Sequence, residues 1–383
     1  MEITSVRKLK RRANPVPCEA AVWVQLEESS DKQTRQGKIY RQLGFTDGVD
    51  RLTIRVWADH EMFERALALP IQHFVALEGQ WIDRGQFGLE PVTWNYRDLT
   101  EQERSSLLEG PADLRAKQAV DYAFIEEMVT GLTDPRLRWL CEQFLSEFGG
   151  RFRRTAAARE YHHARRGGLV EHVAQMMRSS VALLSVYDHL NDDLVVAGVL
   201  FHDIGKLWEN SYPKQGFSMP YQEVGELLSH IPLGIEIINR LWRDMLENED
   251  AASWERLVPK NEDVRLHLMH LVASHHGTRE FGSPVLPKTP EAMLLHFVDN
   301  IDAKLEMFAE GYEKSALVAK NIYERSRPLF HPLVRPLPRC ESPAVDEGDA
   351  EETASLVSDG EGNQAPLVPH DDRSTGIGSF EDG

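Results

Sequence analysis

Short runs rich in β-branched and aromatic residues recur at positions 18–26, 38–45, 51–57, 74–82 and 88–96. Such runs, bounded by turn-forming residues, read as strands. Thr46-Asp47-Gly48 and Asp83-Arg84-Gly85 supply two of the turns. One stretch with helical spacing, residues 60–69, separates the third run from the fourth. After Glu109-Gly110-Pro111 the period changes, and from residue 113 to about 320 apolar residues recur at three and four. Phe124-Ile125-Met128-Val129 and Leu137-Leu140-Phe144-Leu145 are examples. This second region is expected to be all-helical, with no strands.

Five short strands with one helix after the third is the order of an OB-fold barrel, although other small barrels share it. The expected fold class is therefore multidomain α+β. It comprises a basic arm (1–17), an OB-fold nucleic-acid-binding domain (18–100), a helical linker (101–150), an all-α helical bundle (151–330) and a disordered acidic tail (331–383). A chain of 383 residues, 42% of them hydrophobic, has ample material for more than one core.

Charge changes the picture only at the ends. The formal net charge is −18, but residues 341–383 hold twelve carboxylates against one arginine, a net −11, in a Pro-, Gly- and Ser-rich stretch without periodicity. Residues 7–12 carry five cations in six positions. The global acidity thus says nothing decisive against a polyanionic partner. The longest apolar run, Leu194 to Phe201, falls far short of the ~20 residues that cross a bilayer. Cys18, Cys141 and Cys340 are widely separated, which disfavours disulfides and thiolate metal sites. With no hydrophobic leader, these features lead us to expect a cytoplasmic protein without a membrane partner.

Chemistry concentrates in the helical region, where eleven of fifteen histidines fall between His162 and His296. His202-Asp203 sits in Leu200-Phe201-His202-Asp203-Ile204-Gly205-Lys206, with His172 upstream and His230, His275-His276 and Asp299 downstream. Imidazole mixed with carboxylate suits borderline divalent ions. The aspartate beside a ligating histidine can use both oxygens and bridge two ions, an arrangement suited to phosphoryl transfer. Lys206 lies one turn beyond His202, where its ammonium can meet a phosphate oxygen. His163 or its neighbour His162 is expected to reach the site as phosphate contact or proton donor. His189, His267 and His270 carry no expected role.

The order His172, His202-Asp203, Asp299 resembles the H…HD…D signature of the HD-domain metal-dependent phosphohydrolases. His230 and His275-His276 resemble the second-metal ligands of the binuclear members. The likeness extends to the YhaM-type 3′-to-5′ exoribonucleases, which join an OB-fold to an HD domain. It is carried by Tyr161-His162-His163-Ala164, Gly167-Gly168-Leu169-Val170-Glu171-His172 and Ser274-His275-His276-Gly277. Pro287-Lys288-Thr289-Pro290-Glu291-Ala292, His296-Phe297-Val298-Asp299-Asn300-Ile301-Asp302-Ala303-Lys304 and Thr34-Arg35-Gln36-Gly37-Lys38-Ile39-Tyr40 continue it. Arg165-Arg166 and the acidic stretch 242–259 depart from the pattern.

The resemblance implies two divalent ions, manganese first, with iron, cobalt, nickel, zinc or magnesium as alternatives. One would be held by His172, His202, Asp203 and Asp299, the other by His230 and His275, with Asp203 bridging and His276 a further candidate. Catalytic roles fall to Asp203, Lys206 and His163, while Asp302 orders a ligating histidine from behind. The implied substrate is single-stranded RNA, with DNA not excluded. Lys38, Tyr40, Arg41, Phe45, Arg55 and Trp57 on consecutive strands would stack bases and meet phosphates. Rival readings are a phosphohydrolase of small nucleotides or cyclic dinucleotides, and a non-catalytic RNA-binding protein with a structural metal. A homo-oligomer is left open.

Overall fold

The computed structural model describes residues 1–14, 16–85 and 88–340. The expected acidic tail beyond 340 lies outside the described residues.

The N-terminal part is a six-stranded sheet. Strands β2 (Cys18–Gln33), β3 (Ile39–Thr46), β4 (Arg51–Trp57), β5 (Phe74–Asp83) and β6 (Leu89–Asp98) run in the order β4-β3-β2-β5-β6, every pair antiparallel. A short β1 (Ile3–Thr4) lies parallel beside β2. The expected strands stand within a few residues of their places, except that β2 runs seven residues further than its apolar pattern. Its second half, Glu27 to Gln33, is polar and is held by backbone pairing with β3 rather than by burial. A register shift between Leu26 and Glu28 bends the strand, so its first half pairs with β5 and its second with β3. Gly79 is needed where β5 meets β6, because a Cβ there would overlap the Thr93 carbonyl.

Alternation aims Leu52, Ile54 and Val56 of β4 inward, against Leu26, Leu43, Phe45 and Trp81. The basic arm is not free. It forms helix α1 (Val6–Arg12), capped by Ser5, and its Val6 and Leu9 are buried in the sheet core. Its cations are largely paired, Lys10 with Asp50, Arg12 with Glu2 and Arg7 with Glu313. Helix α2 (Phe63–Ala68) connects β4 to β5 as expected.

Two linker helices follow: α3 (Glu101–Glu109), opened by a Thr100–Glu103 capping box, and α4 (Ala112–Thr130). The bundle comprises α5 (Pro135–Phe152), α6 (Gly168–Leu184), α7 (Asp192–Phe201), α8 (Glu223–Leu228), α9 (His230–Leu246), α10 (Ala251–Trp254), α11 (Asn261–Ser274) and α12 (Pro290–Lys314). Helix α7 is buried at every position from Leu194 to Phe201, which explains its unbroken apolar run. The acidic stretch 242–259 is the end of α9 plus α10. It buries Trp242, Met245 and Trp254 and turns Glu247, Glu249, Asp250 and Glu255 outward.

One expectation fails after α12. Residues 317–334 form an antiparallel three-stranded sheet, β7 (Leu317–Ala319), β8 (Ile322–Arg325) and β9 (Pro332–Val334), where helix and then tail were expected. These strands are three or four residues long and mostly exposed, too short to show alternation. They are positioned by Leu333, which seats against Gly311 of α12.

Sheet and bundle meet through a small apolar cluster of Phe74, Ala156, Tyr212 and Phe217. Beside it the Phe217 backbone N–H donates to the Gln25 side-chain oxygen Oε1 at 2.7 Å.

Candidate metal centre

The buried histidines and aspartates converge because three helix ends and two helix faces meet at one point. Helix α7 ends at Phe201, which brings His202 and Asp203 to the start of a tight 3-10 turn over Ile204–Leu207. Helix α9 begins at His230, packed so close on that turn that a Cβ on Gly205 would overlap the His230 carbonyl. Helix α11 ends at Ser274 and releases His275 and His276. His172 projects from α6, while Asp299 and Asp302 share one face of α12.

Two groups of atoms result. In the first, His172 Nε2 lies 3.3 Å from His202 Nε2, 3.4 Å from Asp299 Oδ1 and 3.8 Å from Asp203 Oδ2. His202 Nε2 is 3.2 Å from that same Asp203 oxygen. In the second, His230 Nε2 and His275 Nε2 stand 3.6 and 3.7 Å from the other oxygen, Asp203 Oδ1. The ligand atoms of His230, His275 and His276 lie within 4.8 Å of one another. Asp203 therefore faces both groups, one oxygen to each.

The opposite nitrogens are engaged, which decides the tautomers. Nδ1 of His202 donates to Val199 O at 2.8 Å, that of His275 to Val272 O at 2.7 Å and that of His276 to Phe281 O at 2.6 Å. His172 Nδ1 donates to Asp302 Oδ2 at 2.7 Å. For His202, His275 and His276 Nε2 is thus left as a lone pair aimed inward, and for His172 it is the nitrogen that faces the cluster, the arrangement of ligating histidines held from behind. Asp203 Oδ1, His230 Nε2 and His275 Nε2 are buried without any hydrogen-bond partner. Buried lone pairs this close repel one another unless a cation sits among them, so the donor set fits divalent metal ions.

The protonation equilibria agree. Burial pushes the His275 imidazole well below its ordinary range, helped by the charges of His276 and His202, and burial lowers His276 as well. Burial opposes the ionised form of Asp203, but Lys206 and His202 outweigh it and hold the carboxylate ionised. Burial likewise opposes protonation of His172, yet Asp299 and Asp302 outweigh it and raise the imidazole to about 9. A cation entering between His172 and these carboxylates competes with that proton.

Lys206 places Nζ 2.6 Å from Asp203 Oδ2, on the expected side of the cluster. Asp302 lies behind His172, its Oδ2 accepting from His172 Nδ1 and also from His163 Nε2 at 2.9 Å. His163 is the correction. It is 5% exposed, at φ 47°, with Nε2 tied to Asp302 and Nδ1 3.7 Å from Glu306, so it faces the support and not the reacting space. Its neighbour His162 keeps a buried Nδ1 without a partner, its ring 5.7 Å from that of His172. Burial, with Lys206 and His172, lowers it to about 3, so it is a neutral imidazole. Sequence reasoning missed the supporting carbonyls entirely, since backbone oxygens carry no residue-type signal. It also missed His296, whose Nδ1 donates to His275 O at 2.9 Å, and Glu209, 3.4 Å from His230 Nδ1.

On the sheet, Tyr40, Arg55 and Trp57 share the outer face with Lys38 beside them. The Tyr40 and Trp57 rings are 5.1 Å apart, with Lys38 Nζ 4.8 Å from the Trp57 ring centre. Two expected residues do not join them. Phe45 is fully buried in the sheet core, because its position in the alternation points inward. Arg41 has the same inward phase and is bound to Asp31 and Ser29.

The class that these helices and this donor set define is the HD domain, whose family model matches residues 169–304. Among curated proteins, the chain is 30% identical over 290 residues to the 3′-5′ exoribonuclease YhaM of Oceanobacillus iheyensis, covering 76% of this chain and 85% of that one. It is 35% identical over 190 residues to YhaM of a Geobacillus species and 33% identical over 217 residues to that of Bacillus licheniformis. Those two matches span 54% and 63% of the relatives' own length, so the chain covers about half of the Geobacillus protein. The chain belongs to the YhaM 3′-5′ exoribonuclease family.

Proposed function

We propose that the protein is a metal-dependent exoribonuclease that shortens single-stranded RNA from its 3′ end, with its N-terminal sheet acting as an OB-type binding module. The observation that carries this is the aim of both Asp203 oxygens at separate imidazole groups, with the far nitrogens of His172, His202, His275 and His276 hydrogen-bonded. His172, His202, Asp203 and Asp299 would hold one ion, and Asp203, His230, His275 and His276 the other. Divalent ions there would supply a water nucleophile at neutral pH and charge to polarise the phosphodiester; the mixed imidazole and carboxylate donors suit borderline divalent ions, and the choice of manganese comes from the family resemblance.

The chain's own groups do the rest. Lys206 brings positive charge to within 2.6 Å of Asp203, where it offsets the charge that develops on the phosphate. His162 offers a neutral, unpartnered nitrogen beside the cluster for a phosphate or ribose contact. His163 and Asp302 hold His172 in its tautomer. The sheet order β4-β3-β2-β5-β6 with a helix after the third long strand suits an OB-type barrel. On it Tyr40 and Trp57 form a stacking platform with Lys38 and Arg55 at its edge. The direction of cleavage comes from the family.

The test uses 5′-labelled single-stranded RNA with manganese and compares the protein with its His202→Ala/Asp203→Ala variant. A ladder shortening from the 3′ end, abolished by the variant and by chelator, is the expected result. Intact RNA in the presence of metal-loaded protein would overturn the reading and turn attention to small nucleotides.

A further inference from the structure

A cavity lies away from the metal centre, where the sheet, the linker helices and the N-terminal end of α6 meet. It encloses about 590 Å³, within the usual range for small-molecule sites. Its wall includes Val170 and Gly167 of the α6 entry, and Val170 lies two residues, or about 200° of helix, from His172. The cavity and the metal centre therefore occupy opposite sides of α6.

Six cations line it: Arg104, Arg115, Arg153, Arg165, Arg166 and Lys214. Three acids face them, but these are committed. Asp47 accepts from the backbone N–H groups of Val6, Val49 and Asp50, Glu109 pairs with Arg115, and Glu101 lies 3.7 Å from Arg104. Arg165 is neutralised by Glu171 and Glu306. Among the described residues, Arg153, Arg166 and Lys214 have no carboxylate within 4 Å. Within the described part of the chain the Arg166 side chain bonds only to the carbonyls of Pro213, Lys214 and Gly216. Burial, with the Arg154 charge nearby, pulls Arg166 down to about 10, as expected of a cation lacking a counterion. Between the cations, Leu108, Leu114 and Val170 provide an apolar wall.

We propose that this cavity binds a nucleoside phosphate, with Arg153, Arg166 and Lys214 meeting the phosphate and Leu108, Leu114 and Val170 covering the base. Bare phosphate would leave most of the volume and the apolar wall without a partner. The assignment goes beyond the exoribonuclease reading and does not depend on it. Gln118, in the same wall, donates to Arg166 O and to Glu171 Oε1, both at 2.9 Å, so a ligand would rest against the Arg165–Glu171 ion pair.

Binding is measured by fluorescence anisotropy of N-methylanthraniloyl-AMP with the full-length chain. Three proteins are compared: the unmodified chain, His202→Ala/Asp203→Ala, and Arg153→Glu/Lys214→Glu. Arg153 and Lys214 are exposed, so charge reversal spares the core, and Lys214→Glu alone serves as a second variant. Saturable binding that is equal in the first two proteins and at least tenfold weaker after charge reversal supports the site. Loss of binding in His202→Ala/Asp203→Ala with none after charge reversal would overturn it, as would no saturation at millimolar probe. The claim for a nucleoside also falls if inorganic phosphate competes as well as unlabelled AMP. If an RNA oligomer displaces the probe more strongly than AMP does, per site, the cavity belongs to the RNA backbone and the proposal is wrong.

Discussion

Individual side chains at the centre act through their partners. Asp302 touches no shared donor space, yet its Oδ2 holds both His172 and His163. Asp302→Asn is expected to weaken manganese affinity about 10–100-fold, the usual cost of losing a ligand's support. Competition with a fluorescent chelator reads this, and the melt of the metal-free variant should stay near that of the metal-free parent. Away from the centre, burial holds the Tyr212 phenol un-ionised and pushes it up to about 12. The unfolded chain releases that proton near 10, so the folded state keeps a proton the unfolded state has lost. Stability should therefore be full below pH 10 and fall between pH 10 and 12. Tyr212→Phe should flatten that part of the decline in urea melts taken across the range. His202-Asp203 was legible as a candidate ligand pair from residue type and adjacency. His163 was not legible as a support, because which of two adjacent imidazoles faces a cavity depends on a left-handed turn at φ 47°.

Secondary-structure elements place the ligands by their ends and by close approach. The contact of α9 with the turn after Asp203 exists only because position 205 lacks a Cβ. Gly205→Ala should push His230 away from Asp203 and cost about 1–3 kcal/mol, the range for overpacking a tight interior. Isothermal titration with manganese should then show one tight site lost while the His172 group keeps its own. Two unaltered sites would show that the turn can yield without moving α9. At this scale most elements were visible in the pattern. The helical period after residue 113 and the five strand runs were legible because burial imposes them directly. The second half of β2 and strands β7, β8 and β9 were not, since pairing with a neighbour holds them and little of their surface is buried.

At the scale of the molecule, the centre ties α6, α7, α9, α11 and α12 together at one buried point. Ions bound there favour the folded chain by mass action, about 2.7 kcal/mol at a hundredfold excess over Kd. Chelator should lower the melting temperature by a few degrees, and excess manganese should restore it, as scanning calorimetry can check. An unchanged melt would mean that the cluster folds equally well without its cation. No helix among the described residues is long and apolar enough to cross a membrane. The apolar junction at Phe74 and Phe217 joins sheet to bundle, and it was not legible because its members come from positions far apart in the chain.

The sequence by itself determined the order of sheet and bundle, the concentration of histidines, and the His172, His202-Asp203, His230, His275 and Asp299 set. Periodicity and residue chemistry are local properties, and they survive in a linear string. Only the tertiary structure decided that Asp203 turns one oxygen to each imidazole group, that His276 joins the second and that Phe45 is core. It alone also revealed that, among the described residues, Arg153 and Arg166 beside the cavity have no carboxylate within 4 Å. Those outcomes depend on the phase of a strand, the direction of a helix end and the distance between charges, which are fixed only when separate segments pack.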